Sequence, residues 1–132
     1  MPHLQFELDF KPAAEEKQAF AAEVVRLFST IMDTGTDHIA ITLRCYPPED
    51  MVFGRAQTPG AGKVFLNADI RMGRSPEQKR RLSLDIMAEL ESRWRVPREQ
   101  VYVIYSEHDG PDFQLSERVL PSWSEGEDPL ED

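Results

Sequence analysis

The chain has 132 residues, 24 acidic against 15 basic side chains, a net charge of −9 and 40% apolar residues. This length suits one domain with its own core; the single Cys45 excludes a disulfide scaffold and makes a reducing, cytoplasmic setting the expectation, and the acidic balance argues against a nucleic-acid partner. No run approaches 18 consecutive apolar residues and no basic-then-apolar leader opens the chain, so neither a membrane span nor a signal peptide is predicted.

Residues His3 to Asp9 (HLQFELD) alternate, with Leu4, Phe6 and Leu8 on one side, which predicts a half-buried strand. From Pro12 to Met32 the apolar residues Phe20, Val24, Leu27, Phe28 and Ile31 recur at spacings of three and four, so a helix follows, ended by Asp33, Thr34 and Gly35. His38 to Tyr46 is rich enough in β-branched and aromatic residues for a second strand, and Pro47 with Pro48 stops it. Glu49 to Gly62 reads as a loop with a short strand around Met51 to Phe53. Lys63 to Arg71 is predicted as the third strand. Ser75 then provides an N-cap, Pro76 fits the first helical position and Gln78 completes a capping box. Leu82, Ile86, Leu90 and Trp94 carry that second helix to Pro97, and Val101 to Tyr105 (VYVIY) is the fourth strand.

The second half repeats the first. Lys17, Phe20, Val24 and Phe28 correspond to Lys79, Leu82, Ile86 and Leu90 at a constant offset of 62 residues, which suggests duplication of a β-α-β unit, over about 1–46 and 63–107. The predicted architecture is an α/β two-layer sandwich: a four-stranded sheet with two helices on one face. Tyr102 and Ile104 point to one side of the last strand while Val101, Val103 and Tyr105 point to the other, so both sides are apolar or aromatic. An oligomer that covers the free sheet face is therefore expected. The folded domain is assigned to 1–123. Residues 124–132 (SEGEDPLED) hold five acids and no base, leaving 19 acids against 15 bases elsewhere, and read as a disordered acidic tail.

Several short stretches on this frame resemble the tautomerase superfamily. Met1-Pro2-His3 and the run from Phe65 through Gly73-Arg74-Ser75 resemble 5-carboxymethyl-2-hydroxymuconate isomerase. Thr34-Gly35-Thr36-Asp37-His38 and Arg71-Met72-Gly73-Arg74-Ser75 resemble cis-3-chloroacrylic acid dehalogenase, and Met51-Val52-Phe53-Gly54 with Val101-Tyr102-Val103 resemble macrophage migration inhibitory factor. The resemblance implies a homotrimer with a pocket at each subunit interface, and a proline that becomes amino-terminal when Met1 is lost. It implies Pro2 as the catalytic group, Arg71 and Arg74 as the holders of a small carboxylate-bearing substrate, and Tyr102 as a secondary pocket residue.

The chemistry of these residue types fits that implication. A solvated α-amino group titrates at about 7.7–8.0, and apolar walls with neighbouring guanidinium groups favour its neutral form, a base that needs no metal or cofactor. Guanidinium forks hold carboxylates through paired hydrogen bonds and stabilise a developing enolate. Arg71 and Arg74 precede a helix start, where the helix dipole disfavours cations, and this too points to a ligand role. Keto-enol or double-bond isomerisation of a 2-oxo or unsaturated acid is the leading expectation. A hydratase, dehalogenase or decarboxylase in the same pocket is the alternative, weakened because the residues that activate water in the dehalogenase family align with Thr30, Ile104 and Leu115; Glu117 and Tyr105 are the nearest substitutes. A non-enzymatic interaction protein is the third reading. His3, His38 and His108 lack metal-ligand spacing, and Cys45 reads as a small buried hydrophobe.

Overall fold

The computed structural model describes residues 2–128; Met1 and residues 129–132, the end of the acidic segment, lie outside that range. The elements follow in the order β1 (His3–Leu8), α1 (Ala14–Ile31), β2 (Ala40–Cys45), β3 (Val64–Arg71), α2 (Pro76–Trp94) and β4 (Val101–His108). Three single 3-10 turns punctuate the connections, at Pro48–Asp50, Arg98–Gln100 and Gly110–Asp112. The α2 capping box forms on both sides: Gln78 N donates to Ser75 Oγ at 3.1 Å and Ser75 N donates to Gln78 Oε1 at 2.9 Å. Arg95, at φ 55°, ends α2 in the left-handed conformation.

The sheet order is β2-β1-β3-β4. Parallel pairs β1·β2 and β3·β4 are each bridged by one helix, and the two units join through the antiparallel β1·β3 pair. This is the two-layer sandwich of two β-α-β units. Leu4, Phe6, Leu8, Val64, Leu66 and Ile70 pack one sheet face against Phe20, Val24, Phe28, Leu82, Ile86 and Leu90, every one of them fully buried. Phe20 is central, edge-on to Phe6 at 5.0 Å and tilted against Trp94 at 4.8 Å.

Two expectations need correction. No strand forms at Met51 to Phe53; Met51 is buried, Val52 is 88% exposed, and the Phe53 ring stacks on Tyr102 at 4.3 Å. A 3-10 turn ends at Asp50 and the chain turns again at Gly54, which leaves three residues between turns and no length for a strand. The free sheet face is also far more polar than β4 alone suggested. By register it carries His3, Gln5, Glu7, Thr42, Arg44, Asn67, Asp69, Ser106 and His108 beside Phe65, Tyr102 and Ile104. His3 bonds Thr42 Oγ1 at 2.9 Å, and His108 bonds Asp69 at 2.8 Å. The apolar part is confined to the end where Phe53, Phe65 and Tyr102 cluster.

Candidate active site

Pro2 is buried immediately before β1, with its carbonyl accepting from Ala40 N at 2.9 Å. His3 pairs with Asp69, so Pro2 stands at the end of the sheet where β3 finishes in Ile70 and Arg71. Arg71 and Arg74 are therefore brought to the Pro2 end. The turn between them needs glycine: Gly73 has φ +118°, and a Cβ there would meet the Trp123 ring at 3.0 Å.

Both guanidinium groups are buried, Arg71 at 3% and Arg74 at 6% exposure. Their surroundings differ. Arg71 forms a two-pronged pair with Glu127, Nη2 to Oε1 at 2.5 Å and Nη1 to Oε2 at 3.2 Å, and Nη1 also donates to Pro121 O at 2.8 Å. Arg74 has no carboxylate partner among the described residues. Its Nε donates to Met32 O at 3.2 Å, and its guanidinium carbon lies 4.5 Å from the centre of the Trp123 ring. Burial, with the like charge of Arg71 second, pushes Arg74 down to about 10. Met32 is the C-cap of α1, so Arg74 sits at a helix end whose dipole favours a cation. This overturns the dipole penalty expected from its place before α2.

Tyr102 is not brought to this site. It pairs with Phe65, which pairs with Glu7, near the opposite end of the sheet. Tyr105 lies beneath α2, its hydroxyl donating to Lys79 O at 2.9 Å and bonded to Ser83 Oγ at 2.8 Å; burial raises its pKa. Glu117 is exposed in a loop, its carboxylate accepting from Ser116 at 2.8 Å, which lowers its pKa.

Among the described residues, the carboxylate that reaches Arg71 is that of Glu127, in the acidic segment that reads from the sequence as a disordered tail. Its side chain is 3% exposed and also accepts from Thr34 Oγ1 at 2.8 Å. The same segment is held by Trp123 Nε1 donating to Asp33 O at 3.0 Å and Gly126 N donating to Asp33 Oδ2 at 2.6 Å. Trp123 was the available signal, since an aromatic residue amid serines and acids has a reason to be there if it packs. A cleft of about 550 Å³ opens beside it, lined by Thr30, Asp33, Gly73, Ser75, Gln78, Trp123 and Glu125. Among the described residues no group of three or more His, Cys, Asp or Glu is placed to hold a metal ion, and no helix is long and apolar enough to cross a membrane.

The chain matches no protein-family model and no curated protein sequence. Solved structures are similar to it. A member of the cis-3-chloroacrylic acid dehalogenase family superposes with a TM-score of 0.76 at 21% identity, over 89% of this chain and 84% of that one. Malonate semialdehyde decarboxylase gives 0.71 at 18%, over 86% and 89%. A fused 4-OT symmetric trimer gives 0.77 at 17%, over 89% and 96%. The macrophage migration inhibitory factor-like protein of Entamoeba histolytica gives 0.71 at 16%, over 90% and 98%. What these proteins share with the chain at such identities is the arrangement of strands and helices, the tautomerase/MIF-like fold.

Proposed function

We propose that the chain is a tautomerase or isomerase that acts, without metal or organic cofactor, on a small 2-oxo or unsaturated carboxylic acid. The Pro2 nitrogen, freed by removal of Met1, is the base. The observation that carries this reading is the burial of two guanidinium groups, Arg71 and Arg74, at the end of the sheet from which Pro2 starts. A desolvated Arg74 without an acidic partner is costly unless an anion is its intended company. In ketonisation of an enol acid the enol oxygen loses its proton, the C=C electron pair forms a new C–H bond at C3, and the C2–O bond becomes a carbonyl. Pro2 relays the proton, and the arginines hold the carboxylate and the charge developing on oxygen. Ketonisation of phenylenolpyruvate by the wild type, lost in Pro2→Ala, is the test.

Tyr102 reaches such a pocket only from a second copy, since within one subunit it belongs to the other end of the sheet. A homotrimer is proposed for that reason, in line with the symmetric trimer formed by the fused 4-OT protein of the same fold. Native mass spectrometry should find three subunits.

The second reading is hydration, dehalogenation or decarboxylation of a three-carbon acid in the same pocket. The likeness to the dehalogenase family member and to malonate semialdehyde decarboxylase favours it. Thr30, Ile104 and Leu115, at the places of the water-activating residues, count against it, as does the burial of Tyr105 under α2. Halide release from 3-bromoacrylate, or carbon dioxide from malonate semialdehyde, faster than phenylenolpyruvate turnover would select it.

A further inference from the structure

The arginine that the proposed function assigns to a substrate carboxylate already holds one. Glu127 meets Arg71 with both oxygens, the geometry a small acid would use, and the peptide carbonyl of Pro121 takes the remaining Nη1 contact. Trp123 lies over Arg74 at the same time. One short segment thus occupies both cations.

That segment leaves the core at Leu120 and is held to the site beyond it by polar contacts. Leu120 is fully buried and its amide donates to Phe113 O at 3.1 Å. Beyond it, Pro121, Ser122, Ser124, Glu125 and Gly126 are exposed. Gly110 allows the crossing, since a Cβ there would stand 2.2 Å from Pro121 O. Its contacts there include those of Glu127 and Trp123, Pro121 O on Arg71 and the bonds to Asp33 and Thr34, and the cleft beside Trp123 leaves one flank unpacked. Release of these polar contacts would free the segment from Pro121 onward while Leu120 stays in the core.

We propose that residues 121–128 are a self-inhibitory strap, in which the Glu127 carboxylate stands in for the substrate's carboxylate on Arg71 and must leave before a carboxylate ligand binds. This rests on the proposed role of Arg71. The strap competes with ligand, so weakening it tightens binding by the factor with which it favours the closed form.

Calorimetric titration of the full chain with phenylpyruvate is the test. Glu127→Gln should bind at least tenfold tighter than wild type, and Trp123→Phe about threefold tighter. Adding Arg71→Lys to Glu127→Gln should remove the gain. Equal affinity in wild type and a folded Glu127→Gln, or a gain that survives Arg71→Lys, overturns the strap. If Glu127→Gln does not fold, hydrogen exchange in the wild type decides: saturating phenylpyruvate should release the amide of Gly126, and unchanged protection overturns the proposal. Binding is read here without turnover. Loss of activity in Pro2→Ala with no affinity gain in Glu127→Gln would leave the isomerase reading standing and remove the strap, and the reverse pair of results would do the opposite.

Discussion

The two ends of the β1·β3 ladder correspond across the two β-α-β units, and they resolve the same problem differently. Asp9 and Arg71 occupy equivalent positions, each just at or beyond the end of the first strand of its unit, and both are buried. Asp9 is matched from the other unit: Lys63 Nζ reaches its carboxylate at 2.7 Å, and Lys63 N donates to Oδ1 at 2.7 Å. Arg71 has the opposite charge and, among the described residues, is matched by Glu127, from a segment outside both units. The first pair closes a strand end. The second pair makes the strand end depend on a detachable partner, and that dependence is what a binding site requires.

The largest effect expected from this contrast is on chemistry. Pro2→Ala should lower phenylenolpyruvate turnover by about 10²–10⁴-fold, the range of a lost general base, with little change in thermal stability. Next, Arg71→Met and Asp9→Ala should both destabilise in urea titrations, Arg71→Met by about 3–5 kcal/mol and Asp9→Ala by about 3 kcal/mol, because each strands a buried opposite charge. Only Arg71→Met should also raise KM for the enol acid, by about tenfold or more. A KM change of equal size in Asp9→Ala would erase the distinction between the two ends.

Arg74 sharpens the comparison from the other side. Its charge is desolvated and makes no ion pair among the described residues, Glu127 and Asp33 acting on it only at a distance, so Arg74→Met should stay within about 1 kcal/mol of wild-type stability while KM rises. The smallest effect belongs to Tyr105, which takes no part in either ion pair. Tyr105→Phe should cost about 1 kcal/mol at pH 7 through its lost hydrogen bonds. Because burial raises the folded-state pKa of this phenol above the unfolded value near 10, its contribution is complete below pH 10 and declines as pH climbs through the folded value. The alkaline loss of stability should therefore be shallower in Tyr105→Phe.

Local signals made most of the frame legible in the sequence. Alternation gave β1 to within one residue, and Ser75, Pro76 and Gln78 fixed the start of α2, because each signal is set by neighbours a few residues away. The fourth strand runs on through Ser106, Glu107 and His108, residues of weak strand preference that pair with Asp69, Ile70 and Arg71. Sheet pairing decided there, and Lys79 adds an ion pair to Glu107 across the helix–sheet gap. At the site, the sequence pointed to Pro2, Arg71 and Arg74 through short stretches of resemblance. It gave no warning that Glu127 returns to Arg71, since a contact between an acid-rich terminus and a strand end leaves no periodic trace. The polar character of the free sheet face was likewise hidden until the register set His3, Asp69 and His108 on one surface.

The proposed isomerase chemistry requires a free, neutral secondary amine at Pro2 at physiological pH. Nitrogen-15 NMR titration of proline-labelled mature protein tests it most directly. The Pro2 signal should titrate below the about 7.7–8.0 of a solvated α-amino group. A resonance that stays in the amide range at every pH, or an amine still protonated well above pH 8, would contradict it.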